Sequence, residues 1–352
     1  LPGKKIDKSK IRQILIRATN WVGDAVMTLP ALEAVRENFP SSSITVMAKT
    51  WVEPIFNHHP AVDRVLIFNK GEGAFTGFGE MIRVVREIRK GRFDLAILFQ
   101  NAFEAALLTY LGGAVQRLGY STDGRGFLLT HRIILDDQVL KIHQSEYYLS
   151  ILRGMGWGAR SRDPALHVSQ GDGEAADRIL GSEGIKAGDL LIGLSPGAIF
   201  GGAKRWPPER FAEIGDRAVE EWGARVLVFG SGKERAICSG VCSSMRRKAL
   251  NLCGRTSLSE VMGLISRCCF FVTNDSGLMH VAAALSVPTV AIFGSTDHVT
   301  TGPRGPKTRI VRHETECAPC LKPECPTDHR CMSGIGSGEV WEAMEKMRGE
   351  IN

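Results

Sequence analysis

Short, continuously apolar runs alternate along the chain with stretches whose apolar residues recur every three or four positions. The runs at 11–17, 44–48, 64–68 and 94–99 read as strands, being brief, rich in Ile, Val and Leu, and apolar on both faces. The stretches at 24–38 and 79–90 read as helices, with Pro30 expected to kink or restart the first. Strands apolar on both faces need cover on both sides, which places them in a parallel, doubly wound α/β sheet between helix layers.

The pattern pauses at 160–173, where polar residues, Pro164 and two glycines gather, and then resumes. Helices are predicted at 174–183, 208–222, 233–246, 257–266 and 277–285, with strands at 190–195, 225–229, 249–253, 268–273 and 289–293 between them. A last helix is predicted at 338–348, with Ser337 as its N-cap. The organisation expected is therefore a Rossmann-like unit over 1–165, a second over 166–336 and a closing helix in 337–352. A chain of 352 residues agrees, at roughly 150 residues per domain. With 43% hydrophobic and 23% charged residues, intrinsic disorder and fibrous repeats are excluded.

Charge adds little on its own. The 44 Lys and Arg against 38 Asp and Glu leave +6, partly gathered in Lys4, Lys5, Lys8, Lys10 and Arg12. That balance suits phosphorylated small molecules, nucleic acid or an anionic membrane, and equally a solvated basic face. Residues 1–10 have no apolar core, so no signal peptide and a cytoplasmic location are expected. Apolar runs such as 287–293 fall far short of the roughly 20 residues of a spanning helix, so any membrane contact is expected to be peripheral.

In open parallel sheets ligands bind beyond the carboxyl ends of the strands. Four such turns carry candidate chemistry. The first, Asn20-Trp21-Val22-Gly23-Asp24, lacks the G-x-G-x-x-G of dinucleotide enzymes. Asp24 is either a helix-start carboxylate or a general base able to reach a hydroxyl. The second, 195–207, is a glycine-bearing loop ending in Lys204 and Arg205, either surface cations or phosphate contacts, with Lys204 the first choice. The third, 229–234, is a tight G-x-G turn whose Glu234 is suited to accept from ribose hydroxyls. The fourth, 273–280, places Asp275, Ser276, Gly277 and Leu278 at a helix start, where uncovered N–H groups favour a diphosphate. Asp275 is otherwise a plain N-cap, and His280, one turn inside, a packed core residue.

Nine cysteines in a chain expected to be cytoplasmic point to burial or metal and away from disulfides. Cys317, Cys320, Cys325 and Cys331 are spaced C-x₂-C-x₄-C-x₅-C, which predicts a structural zinc site with His329 as a substitute ligand. An iron–sulfur cluster or free, redox-labile thiols are the alternatives.

The stretches WVGDAVMTLPALEAV, SPGAIFGGAKRWPPERFAEI and TNDSGLMHVAAALSVPTVAIFGSTD strongly resemble bacterial ADP-heptose:lipopolysaccharide heptosyltransferases of glycosyltransferase family 9, most closely those that add the second heptose. The resemblance runs from about Ile11 to Pro303 and implies a GT-B fold, two Rossmann-like domains facing a central cleft, the first for acceptor and the second for nucleotide sugar. It implies ADP-L-glycero-D-manno-heptose as donor, a heptose on Kdo-lipid A at the inner leaflet as acceptor, and inversion without a catalytic metal or cofactor. The family's base then matches Asp24, its phosphate lysine Lys204 and its diphosphate loop 275–280, with Glu234 a weaker match for the ribose carboxylate. Segment 317–331 has no role that the resemblance transfers. A relative with another donor or acceptor, such as one adding the first heptose, is the near alternative. A zinc-stabilised nucleic-acid-binding protein is the remote one, since 6 Trp, 4 Tyr and 15 Phe form no basic–aromatic stripe and no nucleic acid partner is expected.

Overall fold

A computed structural model describes residues 6–69 and 74–351; Lys4 and Lys5 of the basic start lie outside them. The chain forms two compact units, Leu1–Pro164 and Ala165–Asn352. The first holds strands β1 (Gln13–Arg17), β2 (Ser43–Ala48), β3 (Arg64–Ile67), β4 (Leu95–Leu98), β5 (Gln116–Tyr120) and β6 (His131–Ile133). The second holds β7 (Leu191–Ser195), β8 (Arg225–Val228), β9 (Ala249–Asn251), β10 (Phe270–Asn274), β11 (Thr289–Phe293) and β12 (Thr308–Arg312). The sheet orders are β3-β2-β1-β4-β5-β6 and β12-β11-β10-β7-β8-β9, and every pairing is parallel. Counted within its own unit, each sheet has the order 3-2-1-4-5-6, and its connections reverse direction between the first and fourth strands, where ligand crevices form.

Burial explains the strand signal. Ile14, Leu15 and Ile16 of β1, all of β4 and all of β7, β10 and β11 are buried. At about 25 cal/mol per Å² of apolar surface, each Val, Leu, Ile or Phe among them contributes about 1.5–3 kcal/mol. Strands β5, β6 and β12 were not expected from the sequence; β12 is a largely exposed edge and β5 opens with Gln116-Arg117, so neither presents a continuous apolar run.

The stretch expected as one helix over 24–38 is two, Val22–Met27 and Leu29–Asn38, divided at Thr28 with Pro30 in the first turn of the second. Pro30 cannot donate a backbone hydrogen bond, which an N-terminal turn does not require. The closing helix spans Ser337–Ile351, so Ser337 is its first residue and not the N-cap expected. The Ser337 hydroxyl donates to Glu213, and Gly336 N donates to Glu339 Oε1 at 2.8 Å. This helix belongs to the second core, through Val340, Trp341, Met344 and Met347, with the Trp341 and Trp222 rings 4.5 Å apart.

Carboxylates close the amino ends of the sheets. Asp94 Oδ2 accepts from Arg12 N (2.7 Å) and Gln13 N (2.9 Å), and Asp63 Oδ2 from Ile44 N (2.7 Å) and Arg36 Nη2 (2.6 Å). Asp189 Oδ2 accepts from Lys186 N at 3.0 Å just ahead of β7.

Asp216, buried on the helix Pro208–Trp222, holds the turn that leads into β9. It accepts from Arg247 N (2.8 Å), Arg246 N (3.0 Å) and Arg246 Nε (3.2 Å). Burial pushes its pKa up, but the two amides and the guanidinium outweigh burial and hold it below the ordinary value of 3.8. The folded value lies under the unfolded one, so the charge stabilises the fold above about pH 4 and that contribution disappears as acid titrates it. Asp216→Ala is expected to cost about 2–3 kcal/mol at pH 7 by urea unfolding. The gap from the parent should shrink as the pH falls below 4; a gap independent of pH would show that the charge carries none of it.

Candidate functional site

In the second unit, β7 and β10 are neighbours on either side of the point where the connections reverse, so the turns after them meet. Residues 196–207 follow β7. Asn274, at the end of β10, ties that loop down, its Nδ2 donating to Pro196 O (2.7 Å) and its Oδ1 accepting from Trp206 N (3.1 Å). Trp206 is fully buried, with its ring 5.0 Å from Phe211 and Nε1 donating to Ile335 O at 3.0 Å. Between these anchors, the short turn Gly202–Lys204 presents Lys204.

Lys204 Nζ lies 2.6 Å from Asp275 Oδ2 and 4.9 Å from the Phe200 ring centroid. The side chains of the pair are 14% and 7% exposed, so the pair is nearly enclosed and yet reachable from the Lys204 side. The same Asp275 oxygen accepts from Thr296 Oγ1 at 2.6 Å. Asp275 is therefore not the helix N-cap; that position is Ser276, with extended backbone and no side-chain capping bond. Its hydroxyl is instead 3.2 Å from Thr273 Oγ1. Ser276, Gly277 and Leu278 are part-exposed at the opening of the helix Gly277–Ala284, whose first N–H groups carry the positive end of its dipole. His280 is buried one turn further in.

Arg205 Nη2 donates to Ala198 O at 3.2 Å. Its Nε, like Ser295 Oγ, is buried with no hydrogen-bond partner among the described residues. Glu234 closes a capping box: its Oε2 accepts from Ser231 N (2.7 Å) and Ser231 Oγ (2.8 Å). Its other oxygen lies where a Cβ on Gly197 would come within 2.0 Å, so Gly197 lets the loops after β7 and β8 touch with Glu234 as it stands.

In the first unit, Asp24 stands half-buried in the first turn of Val22–Met27, after β1. It lies within electrostatic reach of buried Tyr148, whose pKa is raised first by burial and then by the Asp24 charge. Two buried guanidiniums share this carboxyl edge. Arg17 Nη1 donates to Ala18 O at 2.5 Å and Nη2 to Asn20 Oδ1 at 3.0 Å. Arg125 donates to Gln100 O and, at 2.8 Å, to Asn101 Oδ1. Burial lowers both to about 10. Trp21 and Trp51 are 63% and 55% exposed here, with Trp51 Nε1 donating to Asn20 O at 2.7 Å.

Cys317, Cys320, Cys325 and Cys331 form no disulfide, and among the described residues no three His, Cys, Asp or Glu side chains are grouped to hold a metal ion. Cys331 is buried in the second core, while Cys317 is exposed. Burial, then the nearby Cys317, Cys325 and Cys320, raises the Cys331 pKa. His329 directs Nε2 to Ala203 O at 3.0 Å.

Sequence reading missed Thr296, Asn274, Arg17 and Arg125. Thr296 was within reach of the same rule, because it follows the carboxyl end of β11 as Asp275 follows β10.

Two parallel units of one strand order, with polar side chains gathered at the carboxyl-end turns, are the GT-B class of fold. The chain belongs to glycosyltransferase family 9 (heptosyltransferase), which it matches over residues 81–330. It is similar to lipopolysaccharide heptosyltransferase 2 of Salmonella typhimurium, 34% identical over 313 residues covering 85% of this chain and 88% of that one. The Escherichia coli protein of the same name is 32% identical over 311 residues, with the same coverage. Among solved structures, E. coli ADP-heptose lps heptosyltransferase II superposes with a TM-score of 0.82 at 28% identity, covering 95% of this chain and 98% of that one. A family 9 glycosyltransferase from Veillonella parvula, at 24% identity and a TM-score of 0.87 over 99% of both chains, shares the fold.

Proposed function

We propose that this glycosyltransferase moves L-glycero-D-manno-heptose from ADP-heptose to the heptose of a lipopolysaccharide inner core. The observation that carries the reading is the Lys204–Asp275 pair beside the open start of Gly277–Ala284, in a chain about a third identical to heptosyltransferases 2. A lysine, uncapped amides and the unpartnered Nε of Arg205 suit a diphosphate, because buried donors without acceptors are rare unless a ligand supplies one.

The chemistry then follows from the residues. An acceptor hydroxyl is a weak nucleophile, and Asp24 takes its proton as the oxygen bonds to the anomeric carbon. The bond from that carbon to the diphosphate breaks, and ADP leaves with its electron pair. Lys204 and the N–H groups at 276–278 stabilise the growing negative charge, while Asp275 with Thr296 orients Lys204. Glu234 is the candidate ribose partner through the oxygen facing Gly197, and His280 supports the helix start from within.

Among the described residues no helix is long and apolar enough to cross a membrane. The acceptor's lipid anchor brings the first unit to the inner-leaflet surface as a peripheral protein, where exposed Trp21 and Trp51 suit the interface. Incubation with ADP-heptose and heptose-bearing Kdo-lipid A should release ADP and add the mass of one heptose to the acceptor. Release of ADP without that gain, or gain only on acceptor lacking heptose, would refute this assignment.

A further inference from the structure

The Cys-rich segment 317–331 reaches back across more than a hundred residues to the loop that presents Lys204. Ala203, the residue before Lys204, is held at both backbone atoms: its N–H donates to Pro323 O at 2.9 Å, and its carbonyl lies 3.0 Å from His329 Nε2. The preceding amide, Gly202 N, donates to Glu324 Oε1 at 3.1 Å. At Gly201 the backbones come so close that a Cβ would fall 2.0 Å from Pro323 O. A second anchor, Leu321 N to Ser295 O at 2.8 Å, sits one residue before Thr296, the hydroxyl partner of Asp275.

We propose that segment 317–331 is a brace for donor binding, with Glu324 and His329 as positioning residues that fix the turn Gly202–Lys204 for the diphosphate. The proposal rests on the reading of Lys204 as the diphosphate cation. Its physical basis is the loop's composition. Gly197, Gly201 and Gly202 give residues 196–204 wide conformational freedom, and an unbraced loop would have to be ordered at the moment of donor binding. The contacts fall on the turn itself, with the His329 ring aimed from left-handed backbone at φ 59°.

The test uses the full chain and ADP. Glu324→Ala combined with His329→Asn should weaken ADP binding and raise KM for ADP-heptose, each about tenfold if two ordinary hydrogen bonds are lost. The value of kcat should change by less than about twofold. Asn is chosen at 329 because it tolerates left-handed backbone. Glu324→Gln, which keeps an acceptor oxygen, should restore most of the ADP affinity. Gly201→Ala attacks the same contact from the loop side and should also weaken ADP, which covers the case in which the double variant does not fold. In either variant, amide exchange at Gly202 and Ala203 should quicken while the thermal midpoint holds. If Lys204→Ala weakens ADP but the Glu324/His329 and Gly201 variants do not, the brace is refuted and the donor-site reading survives. If Lys204→Ala leaves ADP affinity unchanged, both fall together.

Discussion

Replacing Asp24 by Asn should reduce heptosyl transfer by about 10²–10⁴-fold while ADP binds as before. Asparagine keeps the size and helix position of the half-buried aspartate but cannot take a proton. The residues assigned to the diphosphate all lie in the second unit, whereas Asp24 lies in the first. The parent and variant should therefore differ in kcat and hardly at all in ADP affinity by calorimetry. Loss of ADP affinity with turnover retained would remove Asp24 from the role of base.

Lys204→Ala should act on two quantities at once. Removing the lysine strips the diphosphate of its cation, and a loss of about 10²–10³-fold in kcat/KM is expected from charge stabilisation of the leaving group. It also leaves the Asp275 carboxylate buried beside Thr296 Oγ1 at 2.6 Å without its cation, and breaking an enclosed pair from one side costs about 3–5 kcal/mol. The double variant Lys204→Met with Asp275→Asn separates the two. It should recover much of the thermal stability and none of the donor affinity. Recovery of both would place the lysine's role in the fold, and kinetics unchanged across donor concentrations would shift the phosphate contact to Arg205.

Those two residues mark how far the sequence could be read. The sequence places Asp24, Lys204 and Asp275 in turns that follow apolar strands, and the structure finds them in those turns. The pairing of Lys204 with Asp275 was not legible. It spans 71 residues and depends on β7 standing between β8 and β10, an order that no periodicity encodes. Strand β12 was missed because an edge strand exposed along most of its length shows neither alternation nor a buried run. The cysteine spacing pointed to segment 317–331, but not to the bonds that dock the segment at Ala203, which come from a proline carbonyl and a histidine ring. Neither has a spacing signature, because the partner is a backbone atom more than a hundred positions away.

The carboxylates at the amino ends of the sheets have a further meaning. Asp63, Asp94 and Asp189 are occupied by strand and turn amides, while Asp24, Glu234 and Asp275 stand in turns that leave the strands' other ends. Acids that hold strand amides and acids of the candidate site thus stand at opposite ends of the strands in each unit. A substitution in the carboxyl-end turns therefore leaves the bonds to Asp63, Asp94 and Asp189 in place and the strands in register.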